Sequence, residues 1–375
     1  MKRKHIRRWV AVGTVLGLLA GCTPAANDGG GQASTSGAGS QPSSGSTSAA
    51  SEFPDLQPLN VSDFKTNPQV SDFIPDDCNV SGTKTDGAKW KIAWCNADES
   101  DESMKYMSDV HRELEQKYGF EMIYFDAQSD PQKQSDHINN AITQGCDAII
   151  VNPVDASALS IPMKKARDAG LVVINCQNVV NDAEAYDCYV GPDDVAGGQL
   201  AASMVMDEFP DGAKIVMIDG MMGSTAQINR TKGFRGVLQS HPEYEILEEQ
   251  TANWSTNEAM NVMESYLSKY PKIDAVFSHF DLATLAAIQS AQAFNRDSEI
   301  KFFSVDGTQG ALDAIAKGGC FAGTSMQNFY FMSETQVLAA LAFLNGDGDK
   351  LKKDTVPPYI AIQSDNAGNF EAGWG

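Results

Sequence analysis

The stretch Asp147-Ala148-Ile149-Ile150-Val151-Asn152-Pro153-Val154-Asp155 decides the fold class. Its apolar, β-branched run at 148–152 is short and stops at an Asn-Pro pair, so it reads as a buried strand rather than a helix. A segment of helical period follows at 156–169, and a second apolar run at 171–175.

The same alternation extends outward in both directions. Upstream lie an apolar run at 91–96, a helix over 103–118 that ends at Gly119, a strand at 121–126 and a helix over 131–144. Downstream the pattern predicts a helix over 195–208, a strand at 214–219 and further strands near 244–250, 275–279, 301–304 and 321–325, with helices between them. Strands that alternate with helices predict βαβ units and parallel sheets, an α/β fold. About ten strands and nine helices exceed one open sheet of ordinary size, so two domains are expected.

Ligands of such sheets sit beyond the carboxyl ends of the strands. The residues found there are rich in carboxylates and amides, with one Arg and several aromatics. That mixture suits a hydroxyl-rich ligand: each hydroxyl both donates and accepts, and apolar C–H faces lie flat on rings.

The N-terminus carries a different message. Lys2, Arg3, Lys4, Arg7 and Arg8 precede a short apolar run and then Leu19-Ala20-Gly21-Cys22, which reads as a signal peptide over 1–22. The Leu-Ala-Gly-Cys sequence resembles the bacterial lipobox, which implies lipidation of Cys22 and a lipid-anchored, extracytoplasmic protein. In 23–51, 23 of 29 residues are Gly, Ser, Ala or Thr, too little apolar surface to fold. Such a chain spans about 30 Å and serves as a tether, of a length that favours a Gram-positive surface. Loss of 1–22 moves the formal charge from −21 to −26. A body this acidic is repelled by phosphate backbones and anionic headgroups, so no nucleic acid is expected as partner and the anchor, not the surface, holds the membrane.

Six cysteines remain besides Cys22: Cys78, Cys95, Cys146, Cys176, Cys188 and Cys320. An even number outside the cell invites disulfides, with Cys176 and Cys188 the favoured pair. Buried free thiols are the equal alternative. No Cys-x-x-Cys, Gly-x-Ser-x-Gly, P-loop or His-Glu-x-x-His occurs, and no catalytic, metal or cofactor site is expected. The run Asn345-Gly346-Asp347-Gly348-Asp349 is too short for a calcium loop and reads as a helix-ending turn.

Four motifs carry a family resemblance over 91–362. They are Phe125-Asp126-Ala127-Gln128-Ser129-Asp130-Pro131, the stretch 147–155, Gly191-Pro192-Asp193-Asp194-Val195-Ala196-Gly197-Gly198, and Phe303-Ser304-Val305-Asp306-Gly307-Thr308. In order and spacing the chain resembles the type I periplasmic binding proteins, and among them the ribose-binding-like sugar carriers of ABC importers. The resemblance implies two Rossmann-like lobes with parallel sheets joined by a three-crossing hinge, at about Pro192, Gln327 and Pro357. The N-lobe would be 89–192 with 328–356 and the C-lobe 193–327 with 357–375, preceded by an extension at 52–88 whose Phe53, Leu56, Phe64 and Phe73 dock it on the body.

Carried over by position, the resemblance places Arg230, Trp254, Asp306 and Gln327 in the pocket, matching the family's residue types. Ser103 and Met104 stand where ribose carriers have two Phe, Gln177-Asn178 where they have Asp-Arg, and Phe280 before Asp281 where they have Asn. These departures imply another hexose, a polyol or a modified sugar, with Asp98, Asp101, Met104, Gln177, Asn178, Phe280 and Asp281 as further contacts. The acidic loop 96–102 leaves two readings: a cationic ligand, or carboxylates that favour a helix N-terminus and face water. The implied function is that of a monomeric solute-binding lipoprotein partnered by an ABC permease and its ATPase. The alternatives are a sensor docking on a membrane receptor, or a carrier of a cationic or nucleoside-like ligand.

Overall fold

A computed structural model describes residues 53–374. In chain order they form β1 (Lys91–Asn96), α1 (Glu102–Tyr118), β2 (Glu121–Asp126), α2 (Pro131–Thr143), β3 (Ala148–Val151), α3 (Ser160–Asp168), β4 (Val172–Cys176) and β5 (Cys188–Val190). Then come α4 (Asp194–Glu208), β6 (Ala213–Asp219), α5 (Thr225–Leu238), β7 (Tyr244–Thr251), α6 (Thr256–Lys269), β8 (Ala275–Ser278), α7 (Asp281–Ala293) and β9 (Lys301–Asp306). The last elements are α8 (Gln309–Ala316), β10 (Phe321–Met326), α9 (Phe329–Leu344), β11 (Asp354–Thr355) and β12 (Ile360–Gln363).

The strands sort into two six-stranded sheets, ordered β11-β5-β4-β3-β1-β2 and β12-β10-β9-β8-β6-β7. Every pairing is parallel except β10 with β12. The expected two α/β lobes are therefore present. Because each parallel sheet is covered by helices on both faces, its strands are apolar at successive positions instead of alternating. In the first sheet Ile92, Trp94 and Ile150 enter one core while Ala93, Cys95, Ile149 and Val151 enter the opposite one. In the second sheet Val216 and Ile218 face one core, Ile215 and Met217 the other.

Two sequence readings need correction. The helix expected over 156–169 starts later, at Ser160, because the Asp155 carboxylate accepts from the Ser157 and Ala158 N–H groups and holds a turn there. The six cysteines from Cys78 to Cys320 are free thiols. Cys176 and Cys188 do lie on neighbouring strands, but the register sets Cys188 opposite Ile174 and Cys176 opposite Val190, so the two thiols are offset along the ladder. Cys22 lies outside the described residues.

Residues ahead of the first sheet pack on the body. Val61 enters the second sheet's core and Ile74 the first's. Leu56 and Phe64 pack against the former, the Phe73 ring meets Phe331 edge-on at 5.7 Å, and the Arg235 guanidinium lies over the Phe53 ring at 5.5 Å.

Candidate functional site

The carboxyl ends of β6, β8 and β9 converge with the start of α5, and the site is built from the residues just past those strand ends. β9 ends at Asp306, whose φ of 138° turns the chain sharply into Gly307 at φ 89°. Asp281, the first residue of α7, holds that turn. One of its oxygens accepts from the Gly307 N–H, the Thr308 N–H and the Thr308 hydroxyl, and the other from the hydroxyls of Ser304 and Thr324. With both oxygens occupied inside its own lobe, the Asp281 carboxylate is a positioning group. Asp281 was expected among the ligand contacts, and the structure places both of its oxygens on partners within this lobe.

Asp306 is fixed in turn. Its Oδ1 accepts from Gln327 Nε2 at 3.2 Å, its Oδ2 from the Asp281 N–H at 3.3 Å, and Arg230 Nη1 stands 3.6 Å away. Arg230 is brought there by close contact of α4 with α5. A Cβ on Gly198 would fall 2.1 Å from the Arg230 carbonyl and one on Gly233 2.0 Å from that of Val195, so only glycine allows this approach. The Arg230 Nε donates to Asp194 at 2.9 Å, its Nη1 to the His279 carbonyl, and Asp194 also accepts from the Tyr359 hydroxyl at 2.8 Å.

Arg230 is 5 % and Asp306 7 % exposed. Burial works against the Arg230 charge, but Asp194, Tyr359 and Asp306 outweigh it and hold the guanidinium protonated. Burial pushes the Asp306 carboxyl well above its ordinary range, with Arg230 opposing and Asp281 adding to the rise. Beneath them the Nδ1 of His279 accepts from the Gly220 N–H at 3.3 Å, which leaves its proton on Nε2, 3.3 Å from Asp219. Burial keeps that imidazole neutral, and burial together with Glu249 pushes Asp219 up to about 9.

An aromatic corner completes this side. Trp254 sits at φ 60° and meets Phe280 edge-on at 5.3 Å, and the Arg230 guanidinium lies 5.8 Å over the Trp254 ring. Gly220 lies directly against the indole, since a Cβ there would fall 2.0 Å from Cη2. The structure thus brings Arg230, Trp254, Phe280, Asp306 and Gln327 together.

The residues expected from the other lobe gather at the ends of β1, β3 and β4. Asn152 Nδ2 lies 2.9 Å from the Met104 sulfur, and Asn178 Nδ2 reaches Asn152 Oδ1 at 3.4 Å and the Pro153 carbonyl at 3.1 Å. Gln177, at φ 55°, points its amide at the sulfurs of Met107 and Met332. The acidic loop is internally engaged. Asp101 caps α1 through the Ser103 and Met104 N–H groups, and Asp98 accepts from Ser100 and Ser129, which hold its carboxyl below the usual range.

Sequence reasoning missed Asp194, His279 and Asn152 as parts of this arrangement. Asp194 had a signal, its place at the head of α4 within Gly191-Pro192-Asp193-Asp194, but its partner Arg230 lies 36 residues away.

The family model for the periplasmic binding protein domain matches residues 92–348. A xylitol-binding protein of Mycolicibacterium smegmatis is 33% identical over 249 residues, 66% of this chain and 69% of that protein. The ribose import binding protein RbsB of Bacillus subtilis is 31% identical over 199 residues, 53% of this chain and 64% of that one. A solved ABC transporter solute binding protein from Bacillus halodurans with bound myo-inositol aligns with a TM-score of 0.71 at 29% identity, covering 78% of this chain and all of that one.

Proposed function

We propose, because this chain belongs to the periplasmic binding protein family, that it captures a sugar or polyol outside the cell and delivers it to an ABC permease and its ATPase. It is a binding protein and not an enzyme. The observation that carries the ligand class is the Arg230–Asp306–Gln327 array set against the Trp254–Phe280 corner. A fixed donor fork, a buried carboxylate and an amide can satisfy neighbouring hydroxyls while the rings cover C–H faces. Names of relatives point the same way, to xylitol, ribose and myo-inositol.

The lobes are taken as 89–192 with 328–356 and 193–327 with 357–375, and closure is selected because polar groups of both are satisfied together only there. The Cys22 thiol carries the lipid, 23–51 is the tether, and the site of action is the outer face of the cell membrane. A cationic ligand is the weaker reading, since Asp98 and Asp101 already accept from their own loop.

A thermal-shift screen of the compact unit Ser51–Gly375 against pentoses, hexoses, polyols, inositols, amino sugars, nucleosides and polyamines tests this. A ligand that binds only the folded state raises its Tm. A shift with one polyhydroxylated solute supports the proposal, and a shift with polyamines alone overturns it.

A further inference from the structure

The segment ending in Gly373 and Trp374 lies beyond the stretch that the family model matches. It is laid against the loops of the candidate site. The Gly373 N–H donates to the Gly307 carbonyl at 2.8 Å, Trp374 forms a parallel bridge with Thr308, and a Cβ on Gly373 would fall 2.1 Å from the Gln327 carbonyl and 3.4 Å from that of Asp306. Its backbone therefore belongs to the second sheet's loops. Its side chain does not: the Trp374 ring meets Phe329 edge-on at 6.2 Å and joins the first sheet's core, which also holds Met107 and Met332. The indole spans the division between the lobes. It is 6 % exposed, and its Nε1–H has no hydrogen-bond partner. Buried donors are rarely left unpaired in folded proteins, and each exception asks for the acceptor that completes it.

We propose that Trp374 is a ligand-recognition residue, its indole N–H donating to a hydroxyl of the bound solute when the lobes close. This rests on the sugar or polyol reading above. The indole is carried by a segment fastened beside Asp306 and Gln327 on one lobe, while its ring packs on the other. It can meet the solute only in the closed form, so its bond adds to closure as well as to affinity.

The test is calorimetric titration of the full mature chain with xylitol, ribose and myo-inositol, for the wild type and for Trp374→Phe, which keeps an aromatic ring and deletes the donor. Trp374→Phe should bind the active solute about 10-fold more weakly while its ligand-free Tm stays level or rises, since no bond is lost in the free protein. Trp374→Ala, which also removes the ring, should lower both affinity and Tm. Equal affinity of wild type and Trp374→Phe overturns the proposal. Failure of the wild type to bind any of the three, or any polyol in the wider screen, overturns the underlying reading and this one with it.

A second inference stands on contacts independent of any ligand. Residues 56–78 are fastened to both lobes and cross at the hinge. Leu56 pairs with the Gly236 carbonyl at 3.0 Å, Val61 is buried in the second sheet's core, and Lys65 pairs with Asp365 at 2.7 Å. Beyond the crossing, Phe73 packs on Phe331, Ile74 is buried in the first sheet's core, and Lys350 pairs with Asp77 at 3.0 Å. Between the two sets, Asn67 accepts from Asn328 at 3.4 Å and Pro68 lines a crevice with Pro192, Gln327 and Pro357, one residue from each passage between the sheets.

We infer that this strap is a fourth tie between the lobes that limits how far they open. Insertion of Gly-Ser-Gly-Ser between Asn67 and Pro68 slackens it without removing a contact. By electron–electron spin distances between labels on the two lobes, the ligand-free insertion variant should show a wider opening than wild type. Its Kd should rise about 2- to 5-fold through a smaller closed population, with Tm little changed. An unchanged distance distribution overturns the inference, whatever the affinity does.

Discussion

Asp306→Asn separates binding from stability. The carboxylate takes Gln327 Nε2 at 3.2 Å and the Asp281 N–H at 3.3 Å, with Arg230 Nη1 3.6 Å away, and burial raises its pKa well above the ordinary range against the pull of Arg230. A carboxyl raised in the folded state favours the protonated form, so its contribution to stability is full below the unfolded pKa of about 3.9 and is lost as pH rises through the folded value. Asn keeps the shape, meets the same φ of 138° as Asp and cannot ionise. Relative to wild type, the Tm of the variant should therefore climb between pH 4 and pH 8. Binding moves the other way. Replacing one carboxyl oxygen by an NH2 group leaves a ligand hydroxyl without its buried acceptor, at about 1–3 kcal/mol, so the Kd should rise about 5- to 150-fold. Titration calorimetry at pH 7 and scanning calorimetry across the pH series read the two effects separately. Wild-type affinity would show that Asp306 does not hold the ligand. A Tm that falls at pH 7 alongside the affinity would show that the carboxylate is a structural strut.

Gly220→Ala should displace the Trp254 ring, because the new Cβ would lie 2.0 Å from its Cη2; affinity should drop about 10-fold, with a change in Trp fluorescence. Asp281→Ala should instead lower stability and affinity together. It leaves the Gly307 and Thr308 N–H groups without their acceptor, at roughly 2–4 kcal/mol in urea unfolding, and stability equal to wild type would refute its positioning role. Burial raises the pKa of the Cys95, Cys146, Cys176 and Cys188 thiols, so these four should resist an aromatic disulfide reagent at pH 8 until the chain is unfolded, whereas Cys78 and Cys320 are partly exposed. Oxidised pairs in the native protein, seen by mass spectrometry, would contradict the free-thiol structure.

The strands that sequence made legible are those buried on both faces, such as Ala148–Val151 and Ala213–Asp219, because continuous apolarity needs no partner to be recognised. β5 and β11 have three and two residues, too few for any periodicity, and β12 comes after Pro357-Pro358 and runs antiparallel beside β10. Their pairing is set by where the chain returns, which is tertiary information. The site divides similarly. That Arg230, Trp254, Asp306 and Gln327 lie together followed from the family resemblance. The saturation of Asp281 was not, since its partners Ser304, Thr308 and Thr324 lie 23 to 43 residues away. The acidic loop shows the converse: the hydrogen bonds that engage Asp98 and Asp101 come from Ser100 and Ser103, two residues away, within reach of a local reading of the sequence.

The two sides of the site differ in stiffness, and that difference bears on which solute is chosen. On the second sheet's side Arg230 donates to Asp194 and the His279 carbonyl, and Asp306 accepts from Asp281 and Gln327, so their geometry is set before a ligand arrives. On the first sheet's side Gln177 faces the thioethers of Met107 and Met332, and Asn152 that of Met104. Thioethers are weak acceptors on flexible chains, so these amides can be drawn to a better partner at little cost. The rigid side can supply an affinity common to polyhydroxylated solutes, while the amides of Gln177, Asn178 and Asn152 distinguish one hydroxyl pattern from another. Exchanges at Gln177 or Asn178 should therefore change the order of preference among solutes more than Tm, whereas exchanges at Arg230 should weaken all of them alike. Solute panels titrated against Gln177→Ala and Arg230→Lys would separate the two behaviours, and a uniform loss in both would refute the division.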